Sequence, residues 1–189
     1  MMRKLILRML LTLDGVAAGE NGPIEGVEYG DEGSWSDIFA TLETVDAMLI
    51  GAGTHREYLG YWQSALTRAD ATPSERKFAT IAARTPHFVL SRTLRAVEWP
   101  NASVLAGGVE AIASLKRQSG RDIILWGGPT VAAAAIEAEL IDEYHLETCP
   151  IIAGRGKKLF ANVAAAHRMR HLSTATVPSG VVLIKYARA

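Results

Sequence analysis

The chain has 189 residues, enough for one domain with a substantial core and short for two. Twenty basic residues balance twenty acidic ones, so no net field would attract nucleic acid or an anionic membrane surface. The single cysteine, Cys149, excludes an intrachain disulfide framework and fits a reducing, cytoplasmic compartment.

The first residues superficially resemble a secretory signal peptide, because basic residues precede the apolar run LILRMLLTL. Arg8 interrupts that run, however, and Asp14 and Gly15 end it early. Apolar residues also alternate with Arg8, Thr12 and Asp14, which is the period of a strand. We therefore interpret residues 4–13 as the first strand of the fold.

An irregular, acidic and glycine-rich loop follows, residues 19–33, and then a helix with the sequence SWSDIFATLETV. Ser34 is the expected N-cap of this helix. Four large side chains fall on one of its faces: Trp35, Ile38, Phe39 and Leu42.

The middle of the chain begins with a short buried strand at 47–51 and a loop through Tyr61 and Trp62. The sequence Thr72-Pro73-Ser74-Glu75 is a capping box with proline at the first helical position. It predicts a helix that turns Phe78, Ile81 and Ala82 inward and stops before Pro86.

Strands and helices alternate through the next part of the chain. Strands are expected at HFVLS, SVLA and DIILW, with a helix that stops at Gly120 and another after Pro129. Two final strands cover roughly 168–176 and 180–187. This order predicts a single α/β domain whose mostly parallel sheet carries helices on both faces and an antiparallel edge.

The segment Gly127-Gly128-Pro129 joins a buried strand to a helix. Unpaired backbone N–H groups and the helix dipole at such a corner favour an anion, and glycine lets a ligand approach the backbone. A tight corner without a ligand explains the motif equally well, because the full dinucleotide fingerprint is lacking.

Two more strand ends carry similar features. Gly51 and Thr54 follow the strand at 47–51, and Ser91 and Arg92 end the strand HFVLS. A hydroxyl beside a guanidinium suits a monophosphate. Three such ends on one predicted sheet would line a shared rim with donors for a dinucleotide.

Several segments together resemble the dihydrofolate-reductase-like superfamily: TLDGVAAG, DAMLIGAGTH, FVLSRT, ILWGGPTVAAAAI and LIDEYHLETCPIIAGRGKKLF. They are most similar to the C-terminal reductase domain of bacterial riboflavin-biosynthesis deaminase-reductases and its stand-alone relatives. The resemblance covers nearly the whole chain. It implies a three-layer fold around a mixed sheet of about eight strands, bound NADPH, and hydride transfer to a small substrate.

The resemblance also implies roles for individual residues. Ser91 and Arg92 would lie by the adenosine ribose and its 2′-phosphate, which favours NADP over NAD. Gly51 and Thr54 would contact the phosphates of the coenzyme. Its pyrophosphate would be held by Gly127, Gly128, Thr130 and Val131. Ala17 and Ala18 would border the nicotinamide, and the acidic loop that follows them would act as a lid.

The chain departs from the family at two places that concern the reaction. Dihydrofolate reductases place a carboxylate on the first helix, where Trp35 stands here, and Asp31 and Asp37 lie off that helix face. The riboflavin-pathway reductases usually have a lysine where Val16 stands. Trp35 is more typical of a core residue, although it could form an aromatic wall for a planar ring.

Two further predictions concern side chains with acid–base or metal chemistry. Asp14 is typical of a turn residue but lies close enough to the expected nicotinamide to be a candidate catalytic residue. Glu143, His145 and Glu147 should project from one strand face; a solvated face is favoured over a metal site, and no metal is predicted.

The resemblance thus implies an NADPH-dependent oxidoreductase acting on a CH–NH or sugar-aldehyde substrate, with 5-amino-6-(5-phosphoribosylamino)uracil as the first candidate. Dihydrofolate or pterin reduction, or a non-catalytic NADP-binding module, are the alternatives. The expected partner is a small molecule rather than nucleic acid or membrane, and the resemblance suggests a homodimer.

Overall fold

The computed structural model of the protein describes residues 2–27 and 32–189. Its ten strands in that part of the chain are β1 Leu5–Thr12, β2 Val16–Ala18, β3 Val45–Gly51, β4 His87–Ser91, β5 Ala102–Ala106, β6 Asp122–Trp126, β7 Glu143–Cys149, β8 Lys157–Lys158, β9 Met169–Thr176 and β10 Val182–Arg188. The helices are α1 Glu32–Leu42, α2 His55–Ala65, α3 Pro73–Arg84, α4 Val109–Arg117 and α5 Pro129–Glu137.

Eight strands form one sheet in the order β5-β4-β3-β6-β1-β7-β10-β9. Every neighbouring pair from β5 to β7 is parallel, whereas β10 runs antiparallel to both β7 and β9. The predicted mostly parallel sheet with an antiparallel edge is therefore confirmed. The ribbon of β2 and β8 is a separate two-stranded sheet that the sequence pattern did not indicate.

Alternate residues of the central strands face two different cores. Leu5 and Leu7 of β1 pack with Ile112 of α4 and Ala135 of α5. The second core lies on the other face of the sheet. It contains Ile6 of β1, Ile124 of β6, Trp35 and Leu42 of α1, and Phe78 of α3. Helices thus cover both faces of the sheet, as predicted, and the buried strand β1 lies at its centre.

The capping box is present as predicted. The Thr72 hydroxyl accepts a hydrogen bond from the Glu75 amide at 3.1 Å, and the Glu75 carboxylate accepts one from the Thr72 amide at 2.6 Å. Three other predictions were wrong. Ser34 lies inside α1 rather than at its N-cap, α4 ends at Arg117 before Gly120, and the loop predicted through Tyr61 and Trp62 is helix α2.

Candidate functional site

The carboxyl ends of β3 and β6 meet at a corner built from Gly51, Thr54 and Gly128. A Cβ atom added to Gly128 would lie 3.4 Å from the Gly51 amide nitrogen and 3.6 Å from Thr54 Oγ1. One added to Gly51 would lie 2.9 Å from Cγ2 of Val131. The residues predicted to bind phosphate groups on these two strands are therefore in direct proximity.

The start of α5 at this corner is open to an anion. Gly128 occupies the N-cap in a left-handed conformation with φ 73°, which suits glycine, and it offers no side-chain cap. The first backbone bond runs from the Ala132 amide to the Gly128 carbonyl at 3.0 Å. The amides of Thr130 and Val131 precede that bond, and no carbonyl in the described part of the chain accepts them. No acidic residue occupies the first turn of α5, so its dipole is not offset there.

The start of α4 shows what a closed corner looks like. It also follows a strand and two glycines, Gly107 and Gly108. Here the Gly108 amide donates to Oε1 of Glu110 at 2.7 Å, so the chain's own carboxylate occupies the place of an anion. Of the two corners, the one at Gly127-Gly128 is therefore the one left open to an anion.

Ser91 ends β4, the strand beside β3, and Arg92 is the next residue. The Ser91 hydroxyl accepts hydrogen bonds from the amides of Thr93 and Leu94, at 3.2 and 2.9 Å, and so orders the loop that carries Arg92. Arg92 is exposed, and its Nη2 lies 3.2 Å from where a Gly108 Cβ would be. The guanidinium therefore lies on the same edge of the sheet as the glycine corner, farther from the sheet centre.

Ala17 and Ala18 lie on the β2–β8 ribbon. Ala18 pairs with Lys157 and Val16 pairs with Lys158. Gly156 packs so closely against this ribbon that a Cβ there would lie 2.4 Å from the Ala18 carbonyl oxygen. The ribbon follows directly from β1, so Ala17 and Ala18 are placed beyond the carboxyl end of the central strand.

Asp14 holds the turn between β1 and β2. Its carboxylate accepts hydrogen bonds from the Thr12 hydroxyl at 2.6 Å, the Ala153 amide at 3.0 Å and the Gly154 amide at 2.8 Å. The Thr12 hydroxyl and the Ala153 amide lower the pKa of Asp14 to about 2. The side chain is thus ionised at neutral pH, and it ties the turn after β1 to the segment that follows β7.

Trp35 lies in the core between α1 and the sheet. Only 7% of the residue is exposed, and its ring contacts those of Phe39, Trp62 and Phe78, with centroids 5.7 to 5.9 Å apart. These contacts agree with the core interpretation of Trp35 and leave little of the ring accessible to a substrate. Residues 28–31 of the acidic loop lie outside the described residues. They include Asp31, one of the two carboxylates considered near Trp35.

Sequence reasoning missed a buried charged network on the α1 side of the sheet. Nη1 of Arg8 donates to Asp37 at 2.6 Å, and Nε donates to Glu147 at 2.8 Å. Asp37 also pairs with Lys185 at 2.6 Å. Arg8 is 3% exposed and His145 is 5% exposed, so the prediction of a solvated face for Glu143, His145 and Glu147 was wrong.

The network shifts the acidity of its members. Burial opposes the charged form of Asp37, but hydrogen bonds from Lys185 and Arg8 outweigh it and lower the Asp37 pKa. A hydrogen bond from His145 lowers the pKa of Glu143 to about 2, and burial lowers that of His145. One signal in the sequence could have indicated this network: Arg8 is a lone cation within an otherwise apolar central strand.

No group of three or more His, Cys, Asp or Glu side chains among residues 2–27 and 32–189 is arranged to hold a metal ion. Likewise, none of the helices described has both the length and the apolar character that spanning a membrane requires.

Comparisons with known proteins agree with this architecture. The chain is 28% identical over 184 residues to the uncharacterized protein YyaP of Bacillus subtilis (strain 168), an alignment that covers 97% of this chain and 94% of YyaP. Its fold is similar to that of a protein from Shewanella sp. PV-4 named for riboflavin biosynthesis, with TM-score 0.73, 22% identity, and 98% and 99% of the two chains covered. It is also similar to Enterococcus faecalis dihydrofolate reductase in complex with NADP(H), with TM-score 0.62, 14% identity, and 98% and 96% covered.

The dihydrofolate-reductase-like fold implied by the resemblance is thereby confirmed. The family model of the RibD C-terminal domain matches residues 3–183, which is nearly the entire sequence. The chain therefore belongs to the RibD C-terminal domain family.

Proposed function

We propose that this protein is an NADPH-dependent reductase that delivers hydride to a small heterocyclic substrate, with 5-amino-6-(5-phosphoribosylamino)uracil as the first candidate. The observation that carries the proposal is the uncapped start of α5, which presents the amides of Thr130 and Val131 beside Gly51 and Thr54. Membership of the RibD C-terminal domain family and the NADP(H) bound by the structurally similar dihydrofolate reductase support it.

The residues at the corner fit a pyrophosphate. Backbone N–H groups at the start of α5 would donate to its oxygens, and the helix dipole favours their negative charge. Side chains are absent at Gly51, Gly127 and Gly128, so a phosphate can approach the backbone closely. Pro129 has no N–H, which removes one potential donor from this set.

Other residues would select and orient the coenzyme. The exposed guanidinium of Arg92 would pair with a 2′-phosphate, which distinguishes NADPH from NADH. Ala17 and Ala18 would border the nicotinamide without competing polar groups. When bound, the coenzyme would supply the hydride, and the protein would supply position and a pocket poor in water.

The proton required by a reduction has to come from elsewhere. Asp14 is ionised at neutral pH and is held by the Thr12 hydroxyl and by the amides of Ala153 and Gly154. Trp35 cannot relay a proton. We therefore propose that water is the proton donor.

A non-catalytic NADP-binding module is the second candidate. It is favoured by Asp14 and Trp35, because the Asp14 carboxylate is already engaged by Thr12, Ala153 and Gly154 and the Trp35 ring is packed in the core. Such a module would keep the glycine corner and bind the coenzyme without oxidising it.

The two candidates differ in a turnover assay. The absorbance of reduced nicotinamide is followed with aminouracil ribose phosphates and pterins as substrates, and coenzyme binding is measured in parallel. A reductase binds NADPH and oxidises it with at least one substrate of the aminouracil class. Binding without oxidation across the whole panel supports the module, and failure to bind NADPH contradicts both.

A further inference from the structure

Arg92 and the start of α4 lie side by side at the carboxyl ends of two neighbouring strands. β4 and β5 are parallel and pair Ser91 with Ala106, and the Gly107 amide donates to the Ser91 carbonyl at 3.2 Å. The residues that follow are also adjacent, because Nη2 of Arg92 lies 3.2 Å from where a Cβ of Gly108 would be. A phosphate group bound by Arg92 would therefore lie at the start of α4 as well.

The carboxylate of Glu110 already occupies this place. Its Oε1 accepts a hydrogen bond from the Gly108 amide at 2.7 Å. Its Oε2 lies 2.7 Å from the position of a Gly108 Cβ, the same point that the Arg92 guanidinium approaches. The carboxylate can fold back in this way because Gly108 has no side chain. Backbone amides at the start of a helix bind carboxylates and phosphates alike, so Glu110 takes the position of an external anion.

Glu110 is negatively charged at neutral pH. Hydrogen bonds from the Gly108 amide and from its own amide, together with the charge of Arg92, lower its pKa. The two side chains nevertheless form no ion pair, and the exposed Arg92 guanidinium makes no hydrogen bond with any residue that the structure describes. Arg92 is thus available to an anion, and a carboxylate that would compete with that anion lies beside it.

The 2′-phosphate of NADPH is the coenzyme group that this arrangement affects most. A phosphate monoester carries a charge of roughly −1.5 to −2 at pH 7, and NADH has a neutral hydroxyl in its place. A carboxylate beside Arg92 repels the phosphate and competes with it for the Gly108 amide. The hydroxyl of NADH experiences neither effect to a comparable extent.

We propose that Glu110 is a specificity-determining residue that lowers the preference for NADPH over NADH, because the 2′-phosphate has to displace its carboxylate from the Gly108 amide. This inference rests on the proposed function and names a residue that limits its coenzyme selectivity. Arg92 attracts the 2′-phosphate, and Glu110 opposes it. Removing the charge at position 110 should therefore raise the selectivity for NADPH without adding a contact.

The substitution Glu110→Gln removes this charge and keeps the shape of the side chain. The glutamine carbonyl oxygen can still accept a hydrogen bond from the Gly108 amide, so the first turn of α4 remains capped. Glu137→Gln is the matched control, because Glu137 is the exposed last residue of α5, at the end of that helix opposite Gly128. Both substitutions change the net charge of the chain equally, but only the first changes the charge beside Arg92.

The experiment measures the dissociation constants of NADPH and NADH by calorimetry at low salt, for the wild-type protein and both variants. We expect Glu110→Gln to bind NADPH roughly three- to ten-fold more tightly than the wild type, and to bind NADH within about two-fold of it. Glu137→Gln should bind both coenzymes as the wild type does.

Three results would overturn the inference: an NADPH affinity in Glu110→Gln that is unchanged or lower, an equal gain for NADPH and NADH, or an equal gain in Glu137→Gln. If the wild-type protein binds NADPH and one of these results is obtained, only the role of Glu110 is wrong. Failure of the wild-type protein to bind NADPH would instead contradict the proposed function.

Discussion

Gly51 and Gly128 lie side by side at the carboxyl ends of β3 and β6, and a side chain on Gly51 would collide with Val131. The distance from a Gly128 Cβ to the Gly51 amide nitrogen would be 3.4 Å, and from a Gly51 Cβ to Val131 Cγ2 it would be 2.9 Å. Two strand ends and the start of α5 thus share a single backbone surface. That surface is the proposed binding site for the coenzyme phosphates.

Replacing Gly51 by alanine should disturb this surface. The added methyl group would press on Val131 and displace the start of α5, at a cost of about 1–3 kcal/mol in the free energy of unfolding. We expect a lower melting temperature and weaker NADPH binding. Gly53→Ala is the control, because a Cβ there meets no atom within 4 Å. If Gly51→Ala and Gly53→Ala behave alike in both measurements, the corner is not the phosphate site.

Arg92→Ala should weaken NADPH far more than NADH. Losing a hydrogen-bonded charge pair with the 2′-phosphate should lower the affinity for NADPH by roughly ten- to hundred-fold. NADH has no such phosphate, so its affinity should not change. Arg95→Ala, an exposed arginine in the same loop, should leave both dissociation constants unchanged. Equal losses for the two coenzymes in Arg92→Ala would remove this residue from the 2′-phosphate role.

Arg8→Met should destabilise the protein strongly. It removes a cation that is 2% exposed and leaves Glu147 without its partner and Asp37 with Lys185 alone. Breaking a buried pair in this way costs about 3–5 kcal/mol, whereas an exposed pair contributes less than about 1 kcal/mol. Arg188 pairs with Glu139, which is about half exposed, so Arg188→Met is the control. In chemical denaturation, Arg8→Met should have a clearly lower midpoint than Arg188→Met. Similar midpoints for these two variants would argue against the buried network.

The buried side chain of His87 should make the protein sensitive to acid. Burial, opposed by a hydrogen bond with the Thr85 carbonyl, lowers the pKa of His87 from 6.5 to about 4. The unfolded chain binds a proton below pH 6.5 that the folded protein does not, so the free energy of unfolding falls as pH drops towards 4. This shift corresponds to a loss on the order of 3 kcal/mol.

Denaturant midpoints between about pH 4 and pH 7 test the effect. His87→Leu should show a shallower decline than the wild type, and part of the decline should persist because burial also lowers the pKa of His145. Parallel pH curves for the two proteins would mean that His87 does not contribute.

Local sequence signals predicted the elements whose ends are marked by capping residues, proline or glycine. Thr72, Pro73 and Glu75 mark the start of α3, and the apolar run at 123–126 before two glycines marks β6 and the start of α5. The helix α2 was missed because Gly60 falls in its interior and weakens the helical pattern. Its inward residues, Leu59 and Trp62, are held by packing that only the tertiary structure reveals.

The polar parts of the site were harder to predict, for a physical reason. Alternation correctly put Glu143, His145 and Glu147 on one face of β7, but it cannot tell whether solvent or a helix covers that face. Helix α1 contributes Asp37, and β1 contributes Arg8, far away in the chain. Ion pairs between such distant residues depend on strand order and register, which no local pattern specifies.

The most direct test of the central claim is a calorimetric titration of the wild-type protein with NADPH, repeated with Gly51→Ala. The account predicts saturable binding of one NADPH per chain, a raised melting temperature in its presence, and a clear loss of affinity in the variant. If NADPH produces neither heat nor a change in melting temperature with the wild-type protein, the glycine corner is not a coenzyme site and the reductase assignment is wrong.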